Sequence, residues 1–214
     1  MNLFLSRVHF PITSLGYGRR IGVWFQGCSI RCSGCVSIDT WATGRGETTL
    51  KSLMGLLTPW LASADGITVT GGEPFEQPSA LEALLSAVRE HINGDVLVYS
   101  GHAWEKLVPF LDPFGGLIDV LISDPFDASA GQSRPLRGSD NQRMHLLSDV
   151  GRERYGALLN SELNDRTRVL DLFIDEKGDA WFAGIPRLGD MRRLKELLAE
   201  YGIEASTTQA PDHR

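Results

Sequence analysis

The sequence predicts an α/β fold with a largely parallel sheet, because predicted strands alternate with predicted helices along most of the chain. Apolar runs of strand length lie at 21–25, 66–70, 95–99 and 117–122. The first run is continuous, which is typical of a strand buried on both faces of a parallel sheet. In such folds ligands gather where the strands end, so the loops that follow these runs are the predicted site.

The elements before the second run follow the same alternation. Residues 3–10 predict a first strand or a cover segment, and 11–20 predict a loop. After the strand at 21–25 and the loop that follows it, residues 43–47 predict a turn. Thr49 opens a predicted helix, which Pro59 kinks or ends. The apolar face of this helix repeats at helical spacing: Leu50, Leu53, Met54 and Leu57.

The next helix has the clearest signals in the chain. Ser79 and Glu82 have the spacing of a capping box, and Asn93-Gly94 predicts the helix end. Its apolar face is Leu81, Leu84, Leu85 and Val88. A further helical segment is predicted at 103–111, and the strand at 117–122 ends at Ser123-Asp124-Pro125.

The last third of the chain predicts an extension. It contains in order a strand, a turn, a returning strand and a helix capped by Asp190, at 169–174, 175–179, 180–183 and 190–202. The last dozen residues predict a frayed end. We expect residues 1–150 to form the core that carries the cysteines, and 151–214 to pack on it within the same domain.

Composition excludes several classes of protein. The 214 residues are 42% hydrophobic and 22% charged, as in an ordinary soluble domain. No apolar run approaches the roughly 18 residues needed to span a bilayer. The apolar segment within residues 1–7 is too short for a secretory signal and already ends in a charged residue. A net charge of −6 argues against nucleic-acid binding. Clustered cysteines suit a reducing compartment, so we expect a cytoplasmic protein without membrane or nucleic-acid partners.

The loop at 28–35 holds all three cysteines of the chain, Cys28, Cys32 and Cys35, in the spacing C-x3-C-x2-C. A structural zinc site normally needs four ligands, and the scattered histidines form no zinc-binding pair. Buried free cysteines are a second interpretation, although the loop also carries Arg31 and is polar. An iron–sulfur cluster is the third, and we favour it: three thiolates leave one iron open for chemistry.

The spacing resembles the cluster motif of radical S-adenosylmethionine (SAM) enzymes, in which SAM binds the fourth iron. The sequence around it, with Gly34 before the third cysteine and Ile38-Asp39-Thr40-Trp41 after it, resembles the activating proteins of anaerobic ribonucleotide reductase. Three further stretches match that family in the same order, at 70–74, 99–107 and 137–143. Together the matches extend from about Ile21 to Leu147, roughly two thirds of the chain.

The resemblance implies a partial (β/α) barrel over residues 1–150, with the extension as a C-terminal strand and helix. It implies a [4Fe–4S] cluster on Cys28, Cys32 and Cys35, and SAM as the second cofactor. The implied SAM contacts are Gly34, Cys35, Val36, Gly71, Gly72, Glu73, Pro74, Tyr99 and Ser100. Glycines let the backbone approach a ligand closely, and Glu73 brings a charge opposite an ammonium group. No side chain is expected to be catalytic, since cluster and SAM carry the chemistry.

By the same resemblance, the chain is a radical SAM oxidoreductase that reductively cleaves SAM to a 5′-deoxyadenosyl radical. The radical then removes hydrogen from a glycine of a large reductase, a glycyl radical enzyme. An external donor such as flavodoxin or ferredoxin supplies the electron, because the chain has no cysteines for a second cluster.

The alternative is a radical SAM enzyme that acts directly on a small molecule or a peptide. The resembling activators end soon after the 137–143 motif, whereas this chain continues for about 65 residues. A ferredoxin-like carrier and a zinc-bound interaction module are candidates from other classes.

Three features stay open at this point. The stretch 137–143 is either a surface for a partner or phosphate, or a turn that satisfies its own backbone groups. Tyr99 either contacts SAM or is a buried strand-end tyrosine with a satisfied hydroxyl. Trp41 and Trp104 either line the site or belong to the core.

Overall fold

The computed structural model describes residues 1–163, 169–174, 180–187 and 189–204. Within them, seven strands form one sheet in the order β3-β1-β2-β4-β5-β6-β7. The strands are β1 (Asn2–Ile12), β2 (Arg20–Phe25), β3 (Glu47–Thr49), β4 (Gly66–Gly71), β5 (Asp95–Tyr99), β6 (Val120–Ser123) and β7 (Arg143–Leu146). The central strands β2, β4, β5 and β6 are parallel, and the outer strands are antiparallel to their neighbours.

The predicted α/β fold is confirmed, but the sheet is less parallel than predicted, since three of its six strand pairings are antiparallel. A barrel is not confirmed: the described sheet ends at β3 on one side and at β7 on the other. The helices are α1 (Leu50–Leu61), α2 (Pro78–Arg89), α3 (Trp104–Leu107), α4 (Asp149–Tyr155) and α5 (Asp190–Glu200). The predicted apolar residues of α1 and α2 pack on the parallel strands, where Leu57, Leu81 and Val69 are fully buried. Each such side chain contributes about 2 kcal/mol through the hydrophobic effect.

The predicted capping box of α2 is wrong. The helix begins at Pro78, and its N-cap Gln77 makes no capping hydrogen bond. The Gln77 side chain instead bonds the backbone of Phe4 and accordingly joins the helix start to β1. The helix ends at Arg89, before the predicted stop. Gly94 serves the entry into β5, since a Cβ there would lie 2.1 Å from the Asp65 carbonyl oxygen.

Three elements were missed in the sequence. β3 is a short edge strand on β1, and β7 pairs antiparallel with β6 at the other edge. β7 alternates polar and apolar residues within a polar segment, so no apolar run announced it. α4 follows β7, and the Ser148 hydroxyl caps it by accepting from the Gly151 amide at 3.0 Å.

The predicted C-terminal strands are present as β8 (Leu170–Ile174) and β9 (Ala180–Gly184), which form a separate antiparallel pair. We call this pair the C-terminal hairpin. The predicted turn at 175–179 and the end at 205–214 lie outside the described residues. α5 begins at Asp190, but Gly189, at φ +90°, is the N-cap instead of the predicted Asp190.

The C-terminal hairpin contacts β1 and β2 through aromatic rings. Trp181 lies edge-on to Trp24 and His9, and Phe173 packs on His9 with ring centroids 4.1 Å apart. The Asp171 carboxylate accepts from the amides and hydroxyls of residues 13–14. The extension therefore touches the core, while the division of the chain at residue 150 stays a prediction.

A buried polar network lies where the parallel strands begin, opposite the loops of the predicted site. Arg20 is fully buried, and its Nη2 lies 2.8 Å from Asp95 Oδ2. Arg20 Nε donates to the Thr68 hydroxyl at 2.6 Å, and the Tyr155 hydroxyl donates to Asp95 at 2.8 Å. Arg154 adds a second cation to Asp95. This network, which we call the Arg20 network, joins β2, β4 and β5 to α4.

No helix among the described residues is long and apolar enough to cross a membrane.

Candidate functional site

The cysteine loop, residues 28–35, starts directly after β2 and is closed at its base by hydrogen bonds. The amides of Gly27 and Cys28 donate to the carbonyls of residues 40–41 at 2.7 and 3.2 Å. The buried Gln26 side chain donates to the Ala42 carbonyl at 2.6 Å. These contacts therefore join the start of the loop to residues 40–42.

The three thiols are free and half-buried, and all of them line one cavity. Burial raises the pKa of each thiol above its ordinary value, and backbone N–H groups directed at the sulfurs oppose that rise. These amides belong to residues 30, 31, 32, 37 and 126. The pKa of Cys32 is also raised by Cys35 and Cys28, so the sulfurs lie close enough to repel one another as thiolates. Such a set suits a positively charged inorganic group.

The donor set fits an iron–sulfur cube. No three His, Cys, Asp or Glu side chains among the described residues converge as they would around one metal ion. A cube takes each thiolate on a different iron, so its cysteines surround the group without meeting at a point. Arg31 assists through its amide, and its side chain is exposed. Trp41 lowers the pKa of Cys35 and lines the cavity, so this tryptophan belongs to the site.

The glycines of the Gly-Gly-Glu-Pro turn, residues 71–74, allow β4 to approach the base of the cysteine loop. Gly71 has φ +103°, and a Cβ at Gly72 would lie 2.2 Å from the Gly27 carbonyl oxygen. The Gly72 amide donates to the Phe25 carbonyl and the Glu73 amide to the Gly27 carbonyl, both at 2.8 Å. The two loops are thus fixed to one another through backbone atoms.

Glu73 is 1% exposed, and its carboxylate is already hydrogen-bonded within the protein. It accepts from the Phe75 amide at 3.0 Å, the Ser100 hydroxyl at 2.9 Å and the Gly101 amide at 2.7 Å. Burial raises the pKa of Glu73, and these donors partly offset the rise. The carboxylate still borders the cavity, but it also connects the loops that follow β4 and β5.

Tyr99 lies at the end of β5, and its hydroxyl donates to the Leu136 carbonyl at 3.0 Å. Its pKa is raised, chiefly by burial. The hydroxyl is therefore satisfied, while the residue still lines the cavity. Trp104, by contrast, stacks on His145 with centroids 3.7 Å apart, away from the cavity lining.

The cavity has a volume of about 800 Å³ and extends beyond the predicted residues. Of the predicted site, all but Pro74 line it: Cys28, Cys32, Gly34, Cys35, Val36, Gly71, Gly72, Glu73, Tyr99 and Ser100. The opposite side, which we call the outer wall, comes from β9, the segment after it and α5: Trp181, Phe182, Pro186, Met191, Leu194 and Leu198. Sequence reasoning missed the outer wall. The amphipathic pattern of α5 indicated a helix without indicating what the helix faces.

The 137–143 stretch folds as a turn held by its own polar side chains. Gln142 accepts from the Gly138 amide at 2.7 Å and donates to the Asp124 carbonyl at 3.0 Å. Asn141 donates to the Pro125 carbonyl, and Arg143 pairs with the Asp124 carboxylate at 2.7 Å. For residues 138–143 the turn interpretation is therefore supported. The turn also borders the cavity at Gly138 and Gln142.

Comparison with known proteins gives a family and several relatives. A family described as "4Fe-4S single cluster domain" matches residues 14–145, more than half of the chain. The anaerobic ribonucleoside-triphosphate reductase-activating protein of Enterobacteria phage T4 is 27% identical over 141 residues, 63% of this chain and 88% of that protein. Its counterpart in Haemophilus influenzae is 30% identical over 139 residues, 61% of this chain and 89% of that protein.

A second group of relatives is longer. The pyruvate formate-lyase-activating enzyme of Clostridium pasteurianum is 33% identical over 153 residues, which span 65% of this chain but only 62% of that enzyme. Among solved structures, QueE from Escherichia coli is similar over all of this chain and 85% of that chain, at 13% identity and a TM-score of 0.42. A TM-score of this size does not establish a shared fold.

Proposed function

This chain belongs to the 4Fe-4S single cluster domain family, and we propose that it is a radical SAM activating enzyme that installs a glycyl radical on a partner reductase. Its cofactors are a [4Fe–4S] cluster and SAM. One observation carries the proposal: the three thiols line the same cavity as Gly71, Gly72 and Glu73, and the Glu73 amide donates to the Gly27 carbonyl.

Each part of the site has a distinct task in this proposal. Cys28, Cys32 and Cys35 hold the cluster, and the amides directed at their sulfurs stabilise the thiolates. When bound, cluster and SAM supply one-electron cleavage chemistry that ends in hydrogen abstraction. The Gly-Gly-Glu-Pro turn fixes the cofactor side of the cavity against the cysteine loop. A carbon radical attacks nearby C–H bonds, so this fixed geometry decides which hydrogen is removed.

The partner is proposed to be a glycyl radical enzyme, by analogy with the names of the relatives. The electron is proposed to come from a separate protein such as flavodoxin or ferredoxin. The chain has three cysteines, all in the cysteine loop, so it has none for a second cysteine-ligated cluster.

The test is anaerobic reconstitution followed by two measurements. With SAM and dithionite the chain should form 5′-deoxyadenosine, and with the right reductase it should produce a glycyl radical signal in electron paramagnetic resonance. Anaerobic ribonucleoside-triphosphate reductase and pyruvate formate-lyase are the two candidates to supply. Formation of 5′-deoxyadenosine without a radical on either candidate would argue against the activase proposal.

A second candidate function is direct action on a small molecule or peptide. The observation that favours it is the outer wall, which lies beyond the family match at 14–145 and encloses space next to the cysteines. A direct enzyme should consume many equivalents of SAM with a small substrate. An activase should consume about one equivalent for each radical that it installs.

A further inference from the structure

The ring of Phe126, in the segment that follows β6, lies against the cysteine loop. A Cβ at Gly34 would lie 3.3 Å from Cε1 of this ring, and a Cβ at Gly138 would lie 3.2 Å from its Cδ2. The ring is half-buried and lines the cavity together with Cys32 and Gly34. Since Gly34 lies between Cys32 and Cys35 in the chain, the ring packs on the part of the loop that connects these two sulfurs.

The segment that carries Phe126, residues 124–127, is bonded to the 137–143 stretch on both sides of the phenylalanine. Three side chains of the stretch bond three different backbone groups, at 3.0, 2.8 and 3.0 Å: Gln142 the Asp124 carbonyl, Asn141 the Pro125 carbonyl and Ser139 the Asp127 amide. Ser139 is fully buried, so its hydroxyl is the partner that replaces water for this amide. The stretch therefore fixes the backbone from which the ring projects.

The backbone at the start of this segment has a conformation that few residues adopt. Asp124 has φ +83°, in the left-handed region, where a residue other than glycine is strained. The Arg143 guanidinium donates to both oxygens of its carboxylate, at 2.7 and 2.8 Å, and the Asp124 amide donates to the His102 carbonyl at 2.9 Å. Such strain persists where surrounding contacts fix it, and it clusters at functional sites. Here it turns the chain after β6 and leads to Phe126.

Phe126 has surroundings unlike those of the phenylalanines of the core. Phe25 and Phe114 are buried in a cluster of apolar side chains, whereas Phe126 packs on two glycines and borders the cavity. Its amide is also one of those directed at the Cys32 sulfur. The redox properties of an iron–sulfur cluster depend on solvent exposure and on hydrogen bonds to its sulfurs. A ring in this position acts on both, because it excludes water and anchors the amide.

We propose that Phe126 is a positioning residue for the iron–sulfur cluster. Its ring holds the Cys32–Cys35 part of the cysteine loop in place and shields it from water, and the 137–143 stretch holds the ring. The stretch thereby has a task that neither a partner surface nor a self-contained turn describes. This inference goes beyond the activase proposal and is the same for any hydrogen donor.

The first experiment measures the shielding without cofactors. Full-length protein before reconstitution is treated with iodoacetamide, and mass spectrometry gives the alkylation rate of each cysteine. Phe126→Ala should raise the ratio of the Cys32 rate to the Cys28 rate by about fivefold or more, because Cys32 loses its cover. Phe126→Tyr keeps the ring and should keep this ratio within about twofold. The control Leu57→Ala removes a fully buried side chain of α1 and should leave the ratio unchanged.

Ser139→Ala tests the role of the 137–143 stretch. Loss of the hydroxyl that holds the Asp127 amide should raise the same ratio by about twofold or more. In a Phe126→Ala background Ser139→Ala should add nothing, because the stretch acts through the ring. The matched control Ser148→Ala removes a hydroxyl that also accepts from a backbone amide, at the start of α4, and should leave the ratio as in wild type.

Three alkylation results would overturn the proposal. One is the same ratio in wild type and Phe126→Ala. Another is a rise of all three rates together in Phe126→Ala, as expected for Leu57→Ala, because the ring would then serve only general stability. The third is an equal effect of Ser139→Ala in both backgrounds, which would refute its action through the ring.

The second experiment measures the cluster itself. Anaerobically reconstituted Phe126→Ala should lose its visible absorbance in air about fivefold faster than wild type, and Phe126→Tyr should match wild type. The reduction potential of Phe126→Ala should be less negative, because water stabilises the charge that reduction adds. An unchanged rate and potential in Phe126→Ala would contradict the shielding. Neither measurement needs SAM or a partner, so a chain that forms no 5′-deoxyadenosine would refute the proposed function and leave this result standing.

Discussion

The two sides of the cavity are held in place by different kinds of contact. The Gly-Gly-Glu-Pro turn is joined by backbone hydrogen bonds to the residues that precede the cysteine loop, and Gly71 and Gly72 leave no room for a Cβ. The outer wall is attached through side chains: Trp181 packs against Trp24, and Asp171 of the paired strand β8 accepts hydrogen bonds from residues 13–14.

This difference separates a fixed part of the site from an adjustable part. Backbone contacts at glycines tolerate almost no substitution, so the cofactor side is constrained in sequence as well as in shape. Side-chain contacts can be exchanged residue by residue without moving the sheet. The outer wall can therefore change in sequence more readily than the cofactor side.

The largest effect is expected from the sulfur ligands. Cys28→Ala, Cys32→Ala and Cys35→Ala should each abolish stable iron and sulfide binding, because no other cysteine can substitute. Metal analysis and absorption spectra after reconstitution measure this. Ser33→Ala, an exposed change in the same loop, is the control and should bind iron normally. Full cluster content in all three variants would refute the site.

A large effect on both stability and cluster content is expected from Gly72→Ala. The new Cβ would lie 2.2 Å from the Gly27 carbonyl oxygen, so the turn and the cysteine loop must separate. We expect a loss of about 2–3 kcal/mol in the free energy of unfolding, measured by urea denaturation. Gly55→Ala is the control: it lies within α1 with open space around it and should stabilise by about 0.5–1 kcal/mol.

A smaller effect, limited to the outer wall, is expected from Trp181→Ala. Loss of its ring contacts with Phe173 and Trp24 should cost about 2 kcal/mol by urea denaturation. Iron content should not change, because none of these rings binds a sulfur. Tyr201→Ala, at an aromatic residue that is 82% exposed, should stay within about 0.5 kcal/mol. Equal losses in the two variants would contradict the role of Trp181 in attaching the wall.

The smallest effect concerns pH and Asp171. Burial raises the pKa of this carboxyl, but hydrogen bonds from Thr13 and Ser14 outweigh burial and lower the pKa overall. A carboxyl whose pKa is lower in the folded than in the unfolded chain stabilises the fold when the pH is above the unfolded pKa, about 3.9. This stabilisation is lost as the pH falls through the folded pKa. Wild type should exceed Asp171→Asn in unfolding free energy by about 1 kcal/mol at pH 7.

The difference between wild type and Asp171→Asn should then shrink as the pH falls below about 4. The exposed carboxylate of Asp149 provides the control variant Asp149→Asn, and melting curves at several pH values provide the measurement. A difference that stays constant across this range would show that the charge of Asp171 does not hold the hairpin.

The parallel strands and the cysteine loop could be predicted from the sequence, because each is marked by a pattern among neighbouring residues. Strands buried on both faces have contiguous apolar sequences, as around Ile21 and Val96. The cluster of three cysteines is also visible directly in the sequence. β7 was not predicted because this edge strand contains Arg143 and His145 and therefore has no contiguous apolar sequence. The capping box at Ser79 failed because Gln77 serves a distant strand, a contact that no local pattern records.

The site was predicted in part for the same reason. The cavity-lining residues after β2, β4 and β5 follow apolar runs, so their common edge could be deduced from the chain order. The outer wall depends on Trp181 meeting Trp24, a contact between residues far apart in the sequence. The hydrogen bond from the Gly101 amide to the Glu73 carboxylate likewise joins residues that no local sequence pattern connects.

The Arg20 network has a consequence for how the protein acquires its iron. It fastens the strands at the end of the sheet remote from the sulfurs, where the Asp95 carboxylate pairs with both Arg20 and Arg154. None of these contacts involves a cysteine, so we expect the sheet to form without the cluster and the cluster-free protein to take up iron and sulfide when they are added.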